Sequence, residues 1–151
     1  MKILLLIPML ALASCATSKL SQESETFSFL GKNVKTEKYN ARITYYSVGE
    51  DKWGDKVACP KTYRAKEGVT ISAHPKFPLG TIVYIPKLKE VIDNGVFTVQ
   101  DRGSAVTKKK AAKGKAFVFD IFVSNQYKMR KHANNMDMYM DVYVSKKITK
   151  P

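Results

Sequence analysis

Asp120 is an acidic residue in the middle of an apolar segment, residues 117–123, which reads F-V-F-D-I-F-V. Aspartate is depleted in β-strands, and burying its charge is unfavourable unless the charge is paired. In a strand, Asp120 would share one face with Val118 and Phe122, and such apolar neighbours raise the pKa of a carboxyl group. The pattern therefore predicts a general acid or, alternatively, a structural ion pair with Arg102 or a lysine.

Asp101 and His74 are two further candidates for chemistry. Asp101 opens the sequence D-R-G-S, which by itself is typical of a turn in which the aspartate bonds the backbone and Gly103 supplies a positive φ. A lone histidine such as His74 is more often a packed or surface residue. Together with Asp120, these two residues would also suit a non-haem metal site. Their spacing matches no recognised metal signature, so we expect no metal and no cofactor.

Six short segments carry the β-branched and aromatic residues that are typical of strands. They are residues 41–46, 69–73, 81–85, 95–100, 117–123 and 138–144. Residues 125–136 are predicted to form a short helix, and the lysine-rich residues 108–115 a solvated loop. This pattern predicts an all-β barrel or sandwich with at most one or two short helices.

The N-terminus is predicted to direct export. A positive start is followed by the apolar residues 3–13, which are too few to span a bilayer but fit a secretory signal. Small residues before Cys15 resemble a bacterial lipobox, in which the cysteine is lipidated; an ordinary signal peptide cut nearby is the alternative. We expect a signal peptide at 1–14, a tether at 15–38 and a folded domain at 39–151. Residues 27–30 could instead form a strand against the domain.

Composition limits the classes of function. The 151 residues, with 26 Lys and Arg against 13 Asp and Glu, allow one basic domain with a net charge of +13. No Gly-rich phosphate loop is present, which argues against nucleotide-driven chemistry. A basic domain is attracted to anionic partners, and export argues against nucleic acid as that partner. We expect a monomeric, membrane-anchored lipoprotein, in the outer membrane facing the periplasm of a diderm or otherwise at the cell surface.

Four motifs together resemble the three-aspartate (3D) domain family of double-psi β-barrels, which includes membrane-bound lytic transglycosylase A. They are residues 71–75 (I-S-A-H-P), 78–86 (P-L-G-T-I-V-Y-I-P), 97–106 (F-T-V-Q-D-R-G-S-A-V) and 119–122 (F-D-I-F). The motifs occur in the family's order, and the resemblance covers roughly residues 41–144. It implies a six-stranded double-psi β-barrel.

The resemblance also implies roles for single residues. Asp120 matches the aspartate that acts as the single catalytic acid/base, and Asp101 matches a second aspartate in the same groove. His74 stands where the family has its first aspartate, a departure that is similar to rare lipoprotein A, a related transglycosylase. A second departure is the lysine-rich insert between Asp101 and Asp120, which compact members lack.

The implied activity is that of a peptidoglycan lytic transglycosylase. It would cleave the β-1,4 bond between N-acetylmuramic acid and N-acetylglucosamine and form a 1,6-anhydro sugar. The alternative is an expansin-like lipoprotein that binds wall glycan without cleaving it. The expected substrate-binding residues are Tyr45, Tyr46, Trp53, Arg102, Gly103 and Ser104. Strand alternation puts Tyr45 and Tyr46 on opposite faces, so at most one of the two is expected to contact sugar.

Overall fold

The computed structural model describes residues 24–29, 32–49, 55–58, 63–108 and 111–146. The predicted signal peptide, Cys15 and Trp53 lie outside these residues. In the part of the chain that is described, no helix combines the length and the apolar character needed to cross a membrane.

In the described part of the chain, seven strands form one mixed sheet. They are β1 (Ser24–Phe29), β2 (Lys32–Ser47), β3 (Thr70–Ala73), β4 (Ile82–Tyr84), β5 (Val96–Asp101), β6 (Val118–Val123) and β7 (Tyr139–Ser145). The strand order is β1-β2-β6-β3-β5-β4-β7, and β7 also pairs with β2. The six strands from β2 to β7 are therefore hydrogen-bonded in a ring, and β1 pairs with β2 outside this ring. Two pairs in the ring, β2 with β6 and β3 with β5, are parallel.

The sequence predicts a segment of each of the six ring strands. Five of them agree to within a few residues, whereas β2 begins at Lys32, well before the predicted start at residue 41. Strand β4 ends at Tyr84, and after Ile85 a 3-10 turn begins, Pro86–Leu88. Pro86 favours the end of the strand because its ring fixes φ and removes a backbone donor. The prediction of a β-rich chain is confirmed. The expected number of strands is wrong by one, because β1 was predicted only as an alternative.

The tether predicted for residues 15–38 is wrong for its described part. Residues 24–29 form β1, and β2 already begins at Lys32 and pairs with β1 in an antiparallel hairpin. The physical reason is aromatic packing. The ring of Phe27 lies 4.5 Å from that of Tyr143 and 5.3 Å from that of Tyr84, so a polar segment is fixed to the domain by one large side chain.

The main core fills one face of the ring strands. In β6 the side chains of Phe119, Ile121 and Val123 are fully buried in this core. Because successive residues of a strand point to opposite faces, Asp120 lies on the other face, together with Val118 and Phe122. The sequence predicted this shared face.

The described residues also contain the helices α1 (Ser104–Thr107) and α3 (Gln126–Asn135) and a turn, α2 (Ala111–Gly114), whose inner residues have left-handed backbone. Only α3 is longer than one turn, and it agrees with the helix predicted at 125–136. The side chain of Asn125 caps it by accepting a hydrogen bond from the Lys128 N–H at 2.9 Å. A salt bridge of 3.0 Å from Lys128 to Glu67 connects α3 to the loop before β3.

Gly95, in the turn before β5, is a position at which any side chain would be strongly destabilising. Its φ is +72°, and an added Cβ would lie 2.7 Å from the carbonyl oxygen of Ile85. We expect Gly95→Ala to lower the free energy of unfolding by more than about 2 kcal/mol, because strain adds to a backbone clash. Gly80 also has a positive φ but has open space around it, so Gly80→Ala should cost only about 1 kcal/mol. Denaturant titration of both variants measures the difference, and equal losses would contradict this explanation.

Candidate active site

Four polar residues form one row across four neighbouring strands. The register pairs Thr44 of β2 with Asp120 of β6, Asp120 with Ser72 of β3, and Ser72 with Asp101 of β5. Residues that are paired on adjacent strands project from the same face of a sheet. The structure therefore brings Asp120 and Asp101 to one surface, with Ser72 between them.

A shift in register gives Asp101 its place in this row. Between β3 and β5 the pairing moves from Ile71 with Val99 to Ser72 with Asp101, so Gln100 is an extra residue on β5. Val99 is buried in the core, and without the extra residue Asp101 would follow it to the core face. Irregularities of this kind re-aim side chains and are common beside active sites.

Asp120 is partly buried and has a close hydrogen-bond donor. The Thr44 hydroxyl donates to Asp120 Oδ1 at 2.7 Å. On the same face of β6, the buried side chains of Val118 and Phe122 lie on either side of Asp120. A carboxyl group in this setting can exchange a proton with a ligand while Thr44 fixes its orientation.

Asp101 is held by two donors from distant parts of the chain. The Tyr46 hydroxyl donates to Asp101 Oδ2 at 3.1 Å, and the Ala58 N–H donates to Asp101 Oδ1 at 3.1 Å. The turn predicted for this segment is wrong, because the carboxylate does not bond the backbone two residues on. Gly103 has a φ of −96° rather than a positive value. Asp101 instead fixes the segment around Ala58 against the sheet.

Arg102 and Gly103 make their contacts within the fold. The Arg102 guanidinium donates to the carbonyl oxygens of Ala73 at 3.0 Å, Asp101 at 3.0 Å and Phe77 at 2.6 Å. Burial lowers the pKa of Arg102, while the charge of Asp101 opposes this shift. The Gly103 N–H donates to Ser72 Oγ at 2.9 Å. These contacts support the loop after β3 and the row of polar residues.

His74 lies directly after β3 and does not enter the row. Its Nδ1 accepts a hydrogen bond from the Lys76 N–H at 3.1 Å, and its ring lies 5.3 Å from that of Phe117. In the neutral ring this acceptor role puts the proton on Nε2. Sequence position brings His74 within two residues of Ser72, but its described contacts belong to the aromatic end of the sheet.

The remaining predicted residues differ in their placement. Tyr45 packs against the core, 5.5 Å from the His132 ring, and its buried hydroxyl has no hydrogen-bond partner. Burial raises the pKa of Tyr45 to about 12 and lowers that of His132. Tyr45 therefore lies on the opposite face from Tyr46, as alternation predicted. Ser104 is exposed at the start of α1.

The described residues contain no group of three His, Cys, Asp or Glu side chains that could hold a metal ion. His74, Asp101 and Asp120 thus do not form the metal site considered as an alternative. Two surface grooves, of about 350 and 370 Å³, lie elsewhere, and neither is lined by Asp101 or Asp120.

Sequence reasoning missed Thr44 and Ser72. Ser72 is only 1% exposed although it is polar, and its position between Ile71 and Ala73 in a short apolar strand was an available signal. Thr44 gave no such signal, because threonine is an ordinary strand residue. Its importance follows only from the pairing of β2 with β6.

Comparison with models of known protein families finds no match for this chain, and comparison with curated proteins finds no similar protein.

Arg102 offers a test of the structural part of the site. Arg102→Met should lower the free energy of unfolding by about 2–3 kcal/mol, because it removes the donors of three carbonyl groups. Arg64 is a matched control, since its guanidinium makes an exposed ion pair with Asp55, and Arg64→Met should change stability by no more than about 0.5 kcal/mol. Thermal or denaturant unfolding measures both. A harmless Arg102→Met would instead favour the predicted contact of Arg102 with substrate.

Proposed function

We propose that this protein is a peptidoglycan lytic transglycosylase in which Asp120 is the single acid/base. The observation that carries the proposal is the hydrogen bond from Thr44 to Asp120, on a carboxyl group that lies between buried apolar side chains. An oriented and partly desolvated carboxyl group is what a one-residue acid/base mechanism requires. The ordered motifs of the 3D domain family add support.

The fold that we infer is a six-stranded double-psi β-barrel. The ring-like order of β2 to β7 and the two parallel pairs are consistent with it. We further propose that Cys15 carries the lipid anchor and that the domain acts on wall glycan from a membrane surface. The support for this part is the signal-like sequence before Cys15.

The proposed reaction uses no water. Protonated Asp120 donates its proton to the glycosidic oxygen, and the bond from that oxygen to C1 of the muramic residue breaks through an oxocarbenium-like state. The C6 hydroxyl of the same residue attacks C1 and transfers its proton to the Asp120 carboxylate. Asp120 thereby returns to its starting form, and the product is a 1,6-anhydro sugar. Because one carboxyl group serves both steps, the paired carboxylates of ordinary glycosidases are not required.

Thr44 acts as a positioning residue in this mechanism. Its hydroxyl donates to Oδ1 of Asp120 at 2.7 Å and so fixes the orientation of the carboxyl group. The same hydrogen bond becomes stronger when Asp120 is ionised. Thr44 therefore orients the acid in the first step and stabilises the carboxylate that accepts the second proton.

A specific observation favours the alternative, a module that binds wall glycan without cleaving it. Both oxygens of Asp101 are engaged by Tyr46 and Ala58, and His74 is bonded to its own loop. Two of the three family positions are thus committed within the fold. Under this alternative, Asp120 would only contact sugar.

Asp120→Asn separates the two functions. Digestion of purified sacculi by the full-length chain should release fragments with anhydro-muramic ends, which mass spectrometry detects. The variant should lose this activity by about a thousandfold or more, because amide nitrogen cannot act as the acid. Asp137→Asn is the matched control, since Asp137 is an exposed residue paired with Lys87, and it should retain full activity.

The products decide the outcome. Reducing ends in place of anhydro ends would indicate a hydrolase and overturn the mechanism. If neither wild type nor variant cleaves, and both still sediment with sacculi, the binding module is correct.

Thr44 gives a second test. Thr44→Val keeps the shape of the side chain but removes the donor, and kcat should fall about tenfold or more while KM stays unchanged. Thr44→Ser retains the hydroxyl and should restore most of the activity. A loss of folding without recovery in Thr44→Ser, or a change confined to KM, would assign Thr44 a structural or binding role instead.

A further inference from the structure

A basic loop is fixed to the sheet directly beside Asp120. We call residues 104–108 and 111–116 the lysine loop. Its side chains Val106, Ala111 and Ala116 form a buried cluster with Val118 of β6. Val118 precedes Asp120 by two residues on the same face, a distance of about 7 Å along a strand. The base of the lysine loop therefore packs beside the candidate site, and we call the loop one wall of that site.

The charges of this wall are of one sign. The sequence between Asp101 and Asp120 contains no acidic residue. Lys108, Lys113 and Lys115 are exposed, and none of them takes part in the ion pairs that the described residues form. Their positive charge is thus not neutralised by those ion pairs and can attract an anionic ligand near this part of the sheet.

The backbone of the lysine loop is held in an unusual conformation. Ala112 and Lys113 have φ values of +51° and +54°, and Gly114 follows with +85°. Ala111 and Ala116 close this turn with two backbone hydrogen bonds, of 2.9 and 3.1 Å. Left-handed backbone at a residue other than glycine is unfavourable and persists only where the surroundings enforce it. The closed turn therefore presents Lys113 and Lys115 from a fixed base.

We propose that the lysine loop binds the carboxylates of the peptide stem of peptidoglycan. This inference rests on the proposed function, because it takes Asp120 to lie at the glycosidic bond of a muramic residue. The lactyl group of that residue carries the stem peptide, so carboxylates come within reach of the wall beside Asp120. Exposed ammonium groups attract such anions without a rigid geometry, which suits a flexible peptide.

The test compares two sets of substitutions in the full-length Asp120→Asn chain, so that cleavage does not disturb binding. The first set is Lys108→Gln, Lys113→Gln and Lys115→Gln. The matched control set is Lys35→Gln, Lys89→Gln and Lys131→Gln. The control lysines are likewise exposed, so both sets remove three positive charges. Binding is measured by sedimentation with intact sacculi, and by isothermal titration with the soluble glycan strands that remain when an amidase removes the stem peptides. We call these strands the stripped glycan.

We expect the first set to weaken binding to intact sacculi about tenfold at low salt, and the control set by less than about twofold. On stripped glycan, all the proteins should bind alike. Equal weakening by both sets would show an effect of net charge alone and overturn the proposal. A difference between the two sets that persists on stripped glycan would also overturn the proposal. So would a difference that disappears only when hydrofluoric acid removes the phosphate-containing wall polymers, because those polymers would then be the ligand.

This outcome is independent of the proposed activity. If the wild-type chain forms no anhydro ends, but the lysine-loop substitutions still weaken binding to intact sacculi and not to stripped glycan, the proposed activity is wrong and the proposed binding site is correct. If anhydro ends form and the two sets behave alike, the activity stands and the lysine loop has no role in binding stem peptides. Unfolding curves of both sets should match that of the parent, because all six positions are exposed.

Discussion

Asp120 can lie at the centre of an apolar strand because the two faces of β6 meet different surroundings. Phe119 and Ile121 are fully buried in the core on one face, and this burial fixes the register of the strand, since a slip by one residue would exchange the faces. On the other face, β2 supplies the Thr44 hydroxyl. The hydrophobic core thus determines where the carboxyl group points, and the neighbouring strand provides the donor that makes its partial burial tolerable.

The direction of Asp101 is also set by the sheet, but through a shift in strand register. An extra residue on β5 changes the face from which Asp101 projects, and the Tyr46 hydroxyl reaches it from β2 at 3.1 Å. Tyr46 is anchored in turn by its ring, which lies 5.4 Å from that of Phe122. A long strand that contributes donors to both aspartates links the two halves of the row. Displacing β2 would therefore affect Asp101 and Asp120 together.

Local pattern was sufficient for part of this arrangement. The alternation in residues 117–123 predicted the face that Asp120 occupies, and β-branched segments predicted the six strands of the ring. Pairing was beyond local pattern, because Thr44 and Asp120 are 76 positions apart and no periodicity specifies which strands become neighbours. The wrong predictions also concern contacts between distant segments. Phe27 packs on Tyr143, and its segment forms a strand where a tether was predicted. Asp101 accepts hydrogen bonds from Tyr46 and Ala58 instead of bonding the backbone of its own turn.

The division of tasks between the two aspartates bears on mechanism. Asp101 accepts hydrogen bonds from Tyr46 and Ala58 and thereby holds the segment around Ala58 against the sheet. A displacement of its carboxylate would release that segment, so Asp101 suits a fixed, supporting position. One cycling carboxyl group needs no second carboxylate as nucleophile or base. Under the proposed function, Asp120 therefore acts alone, and Asp101 maintains the surface on which the glycan would lie.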